Sequence, residues 1–175
     1  MVKFTTSIIA LAMAASVAAA PAPTSQTTFS FAQWVEDIIA NPDTALTPEE
    51  AVAAAQSAAV VTSAGGLSKR AWCQDALKSA PAGDATACLN DLARKGAQGI
   101  TCTVGQGQSS VQMCQIGGAK IVSSKPDQPA QGANCNDVAR TGGLIFDSCY
   151  RADNTVKGSD VCITNNKFQV AIAGV

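Results

Sequence analysis

The placement of cysteine divides this chain in two. All seven cysteines (Cys73, Cys88, Cys102, Cys114, Cys135, Cys149, Cys162) follow a Lys69-Arg70 pair, and none precedes it. Crosslinks constrain a small fold more than any other feature, because each one ties two distant points of backbone together and restricts the unfolded chain. The N-terminal sequence indicates which redox compartment those thiols meet. Lys3 is followed by an apolar run, Ser7 to Met13, and then by the small-residue stretch Ala14 to Ala20. That is the pattern of a secretory signal peptide, too short to span a bilayer. We therefore expect a signal peptide over residues 1–19 and a secreted product, extracellular or in the cell wall, whose cysteines form disulfides.

Residues 20–70 read as a propeptide ending in Lys69-Arg70. The segment is rich in Ala, Ser, Thr and Pro, and carries Glu36, Asp37, Asp43, Glu49 and Glu50 against that single basic pair. Gly65-Gly66-Leu67-Ser68 gives a furin-like protease a flexible approach to the dibasic site. Two short helices are predicted. Phe31, Trp34, Val35 and Ile38 recur at helical spacing until Asn41-Pro42 stops the run. Thr47-Pro48-Glu49-Glu50 then supplies an N-cap, a first-turn proline and a capping-box glutamate. Such a segment is either a disposable spacer or a chaperone-like mask whose Trp34 face covers apolar surface until cleavage.

Residues 71–175 form the expected mature domain. Nine Lys/Arg stand against eight Asp and no Glu, with no block of like charge, which argues against a nucleic-acid partner. The order of patterns is strand (Trp72 to Leu77), helix, strand (Ile100 to Val104), strand (Val111 to Ser123), helix, strand (Lys167 to Ala173). Asp84 stands as N-cap of the first helix, with Ala85, Cys88, Leu89 and Leu92 as its inner stripe and Asp91 and Lys95 paired outside. Gly117-Gly118 inside the third strand suggests a bulge. The second helix shows Cys135, Val138, Gly142, Ile145 and Cys149 on one face, and its Gly142-Gly143 pair implies close approach of a neighbouring element. The expectation is an α+β sandwich: an antiparallel four-stranded sheet with two helices on one face, in a split βαβ or ferredoxin-like plan. That plan favours the pairs Cys88–Cys149, Cys102–Cys114 and Cys73–Cys135, with Cys162 left unpaired.

The chain holds no histidine. This removes Ser–His and Cys–His nucleophile pairs and His-containing zinc sites. Any acid/base pair in the mature part would be drawn from Asp75, Asp84, Asp91, Asp127, Asp137, Asp147, Asp153 and Asp160, each better placed for a cap, turn or ion pair. Gly105-Gln106-Gly107 lacks the lysine and helix start of a phosphate loop. We expect no catalytic residue, no cofactor and no metal site, and hence a non-enzymatic protein. Its partner would be a protein, membrane or cell-wall target.

Ala87-Cys88-Leu89-Asn90-Asp91-Leu92-Ala93-Arg94-Lys95-Gly96, Cys114 to Val122, Cys135-Asn136-Asp137-Val138-Ala139-Arg140 and Val156-Lys157-Gly158-Ser159 form a connected pattern. It resembles small secreted proteins of filamentous fungi that are induced during vegetative (heterokaryon) incompatibility. Phe31-Ala32-Gln33-Trp34-Val35 and Pro48-Glu49-Glu50-Ala51 fit the same group. The resemblance implies a secreted protein associated with cell death or with interaction between organisms. It also implies six paired cysteines with Cys162 extra, as a free thiol or an intermolecular link that would make a disulfide-linked dimer. The architecture is similar, at that level alone, to killer toxins with α/β sandwich folds. An antimicrobial or host-directed effector activated by dibasic cleavage is therefore the alternative reading, and a secreted hydrolase the third.

Overall fold

In the computed structural model, residues 28–59, 71–126 and 129–175 are described. The expected signal peptide, the Lys69-Arg70 processing pair and Asp127 lie outside the described residues. Two helices open the described part. Ser30 caps α1 (Phe31–Ala40), its hydroxyl accepting from Gln33 N–H. The predicted capping box opens α2 (Pro48–Ala59): Thr47 N–H donates to Glu50 at 2.8 Å, and Glu50 N–H to the Thr47 hydroxyl.

The cysteine-rich part is α+β. In chain order it contains β1 (Ala80–Pro81), α3 (Ala82–Ala97), β2 (Thr101–Val104), β3 (Ser110–Ile116), β4 (Ala119–Ser124), β5 (Gln131–Asn134), α4 (Cys135–Cys149), β6 (Thr155–Val156), β7 (Gly158–Cys162) and β8 (Asn165–Gly174). The main sheet is antiparallel in the order β3-β4-β8-β7, and β1–β6 and β2–β5 are separate two-stranded ribbons. Helix α3 packs on β3 and β4, α4 packs on β7 and β8, and the two helices pack on each other. Phe168, Val170 and Ile172 of β8, with Ala119 and Ile121 of β4, fill the space beneath them. Helices α1 and α2 lie on the other side of α3 and α4. The layers are thus sheet, helix pair, helix pair.

Three expected details are corrected. Trp72 to Leu77 is not a strand. Trp72 makes only an isolated bridge to Ser159, and the segment turns. Val111 to Ser123 is a hairpin, not one bulged strand. Gly117, at φ +51°, and Gly118 form its turn, and the bulge falls between Gln112 and Cys114. A side chain at Gly117 would also meet the Asp84 carboxylate, which would lie 2.4 Å from its Cβ. That carboxylate accepts from Gly118 N–H at 2.7 Å, so Asp84 holds the hairpin turn against the first turn of α3 and does not cap the helix.

The expected disulfide pairs are also corrected. The bridges are Cys73–Cys149, Cys88–Cys114 and Cys102–Cys135, with Cα separations of 5.3, 5.7 and 5.1 Å. Cys102 does not reach Cys114 because β2 pairs with β5, where Cys102 stands opposite Ala133. Cys135 follows that ribbon directly and donates its N–H to Ile100 O, which brings it to Cys102. Cys114 sits on the face of β3 beneath α3 and takes Cys88. The Trp72–Ser159 bridge carries Cys73 to the end of α4, where Cys149 is. Cys162 has no disulfide partner and is only 2% exposed. A dimer linked through it would require the end of β7 to open.

Candidate interaction surface on α4

The residues that dock α1 onto α4 form the most elaborate polar and apolar junction among the described residues. Its floor comes from the glycine pair. A Cβ on Gly142 would lie 2.3 Å from Leu89 of α3, and one on Gly143 would lie 2.8 Å from the Ala32 Cα and 3.0 Å from Phe31 O. Gly142 therefore admits α3, and Gly143 admits the backbone of α1. Above this crossing, Phe31 stacks on Phe146 with ring centroids 4.4 Å apart and meets Tyr150 at 5.5 Å. Trp34, 2% exposed, fills the adjoining space and donates its indole N–H to Leu46 O at 2.9 Å. Val35 and Ile38 complete the buried stripe of α1.

Two charged contacts fix the direction of docking. The Asp147 carboxylate of α4 accepts from the Ser30 hydroxyl at 2.7 Å, Phe31 N–H at 2.6 Å and Ala32 N–H at 3.2 Å. One helix thus caps another, satisfying first-turn donors and placing a negative charge at the positive end of α1. Nearly two turns onward, Arg140 holds Glu36 through two parallel bonds of 2.7 and 3.0 Å, and its third nitrogen holds Asp137 at 2.9 Å. Hydrogen bonding to Glu36, the largest influence, and to Asp137 raises the guanidinium pKa further above its ordinary value. Advancing along α1 from Phe31 to Glu36 runs backward along α4 from Asp147 to Arg140, so the helices are antiparallel. Farther out, Arg94 of α3 donates to Pro42 O at 2.8 Å.

Tyr150 reports on this junction. It is the chain's single tyrosine. Burial raises its pKa above the ordinary value near 10, opposed by a hydrogen bond from Gln56 of α2. A group that keeps its proton more tightly when covered weakens docking only as pH climbs above its uncovered pKa. Docking should therefore be level through neutral pH and loosen from about pH 10 upward. Ultraviolet titration of the intact protein is expected to show a tyrosine ionising above the ordinary value. Trp34→Ala should move the midpoint back toward the ordinary value.

The aspartates from which any acid/base pair would be drawn are dispersed. Besides Asp84 and Asp147, Asp91 pairs with Lys95 at 2.7 Å, Asp75 with Lys157 at 3.4 Å and Asp153 with Arg151 at 3.3 Å. Asp137 holds Arg140 and accepts from Thr164 Oγ1 at 2.9 Å. Asp160, nearly buried, accepts from Val161 N–H. Among the described residues no three His, Cys, Asp or Glu gather as a metal site, and no helix is long and apolar enough to cross a membrane. Shallow hollows are found among the described residues. One of about 340 Å³ lies between Ser124, Val161, Lys167 and Gln169, and one of about 160 Å³ lies beside the Cys73–Cys149 bridge. Sequence reading singled out Trp34 and Gly142-Gly143 but missed Asp147, Arg140 and Tyr150, because a cap supplied from another helix leaves no local pattern.

A family profile described as Domain of unknown function (DUF8794) matches residues 68–174, more than half of the chain. The chain belongs to this family. No curated protein and no solved structure matches it.

Proposed function

We propose that this is a secreted, disulfide-stapled, non-enzymatic protein that acts by surface recognition in fungal cell death, incompatibility or interaction between organisms. The observation that carries the non-enzymatic part is the use of its carboxylates. In the described cysteine-rich part Asp75, Asp91, Asp137 and Asp153 are ion-paired, Asp84 and Asp147 bind backbone N–H groups of neighbouring elements and Asp160 is buried within β7, so they do not converge on one cleft. The biological setting rests on the resemblance of the Cys88 to Gly96 and Cys114 to Val122 segments. Three disulfides suit an oxidising extracellular location. Cleavage after Lys69-Arg70 would divide the N-terminal helices from the family domain, whose match begins beside that pair. The target is a protein, membrane or wall component.

The killer-toxin-like or host-directed effector reading gains from the docked α1. Its removal would expose Phe146 and Tyr150, so dissociation of the segment after cleavage would unmask an aromatic face. Cleaved, purified protein added to competing cells separates the two: growth loss or permeabilisation favours the effector, and wall retention without killing favours the resident protein. Asp75→Asn and Asp153→Asn are expected to leave either activity within about threefold of normal, as surface changes away from the junction do. Turnover of wall polysaccharide or peptide, lost through one aspartate with folding intact, would move the protein to the hydrolase class.

We also read the main sheet as a circular permutation of the ferredoxin-like plan. The last strand, β8, fills the slot between β4 and β7 that a first strand holds in that plan. Gly174 N–H bonds Lys78 O at 2.7 Å, so the end of the domain lies beside the start of its first helix segment. This explains why the expected strand over residues 72–77 is not needed in the sheet.

A further inference from the structure

We propose that the groove between α3 and α4 is a helix-binding site that works in trans, with residues 28–59 of this chain as its ligand even when they are a separate peptide. The proposal deepens the reading above, from which it takes only the occasion for cleavage.

The groove has what a directional peptide site needs. Gly143 lets the ligand backbone approach, Phe146 and Tyr150 take an aromatic anchor, Asp147 caps the incoming helix and Arg140 fixes its register through Glu36. The ligand matches at every point. Ser30 and Phe31 meet the cap, Phe31 and Trp34 fill the aromatic space, and Val35 and Ile38 continue the stripe. Its second helix adds Ala51 and Val52, both buried, against α3. A helix as short as α1 is marginal alone in water, so its helical form depends on the groove, the behaviour of an amphipathic helix that folds as it binds. The receptor half keeps three disulfides within itself, and none crosses to the ligand.

The test uses the full oxidised chain with a site-specific protease sequence placed between residues 60 and 70, so its outcome does not depend on natural cleavage at Lys69-Arg70. After cutting, the two pieces are expected to co-elute at about 10 μM, and isotope-labelled 28–59 peptide should exchange into the complex. Gly143→Ala should weaken retention about tenfold, because the new methyl overpacks against backbone. The same change should leave the released 71–175 piece no less heat-stable, since alanine favours helix over glycine. Separation of the pieces on cutting, with 71–175 still folded, overturns the proposal. So does precipitation of 71–175, equal retention in Gly143→Ala, or a particle of twice the mass with no peptide exchange, which would mean a swapped second copy.

Discussion

Replacing Cys73 and Cys149 together by alanine should destabilise the cysteine-rich part by about 4 kcal/mol and sharply lower the yield of folded protein. The bridge spans 76 residues, the longest of the three loops, against 26 for Cys88–Cys114 and 33 for Cys102–Cys135. The other two bridges shorten the effective loop, and the logarithmic dependence leaves most of the effect intact. A second consequence is local. Cys73 anchors the segment between Trp72 and Ser79, which otherwise holds to the domain through backbone bonds at Trp72 and Lys78 and polar contacts of Gln74 with Ser159, Asp75 with Lys157 and Lys78 with Val175. Cys162→Ala is the control, a buried truncation expected to cost about 1 kcal/mol. Denaturant unfolding of both variants checks the ranking. Equal losses would show that the Cys73–Cys149 bridge does not constrain the chain.

The helices were legible because their information is local. The capping box at Thr47, the stripe from Ala85 to Leu92 and the face from Cys135 to Cys149 each show helical spacing within a few turns. Strand β8 was legible for the same reason, through alternating Phe168, Val170 and Ile172. Strand β5 was not. Gln131-Gly132-Ala133-Asn134 has no apolar alternation, and its ladder to β2 is made by backbone groups that any sequence offers. Missing β5 displaced Cys102 and Cys135 together, and with them the whole pairing, since each wrong partner forced another. Strand β7 was hidden similarly. Gly158-Ser159-Asp160 reads as a turn, yet it lies buried beside β8 and under α4. The α4 junction was half legible. An amphipathic Trp34 helix and a glycine pair each require a neighbour, but nothing in either names the other. Pairing them needs Asp147 and Arg140, whose spacing along α4 runs opposite to that of Ser30 and Glu36 along α1.

Trp34→Ala should release residues 28–59 from the rest of the molecule without unfolding it. Trp34 is among the largest fully buried side chains and lies on a helix too short to persist alone. Truncating such a side chain costs about 3–5 kcal/mol, from lost transfer and from the void left behind. The indole N–H bond to Leu46 O goes with it, which frees the connection between α1 and α2. The surrounding polar contacts cannot compensate. Arg140 and Glu36 are both partly exposed, and such a pair contributes about 1 kcal/mol or less. The cap from Asp147 adds about as much again. The cysteine-rich part keeps its sheet, its three bridges and the α3–α4 contact, so its own stability should stay close to that of the parent. Hydrogen exchange resolves the two halves. Amides of α1 and α2 should lose protection in Trp34→Ala while those of β4, β8 and α4 keep theirs, and Leu46→Ala, at an exposed side chain, should change neither. Unchanged protection of α1 would mean that the segment is held by something other than its aromatic face. Loss of protection throughout would mean that the two halves fold as one unit.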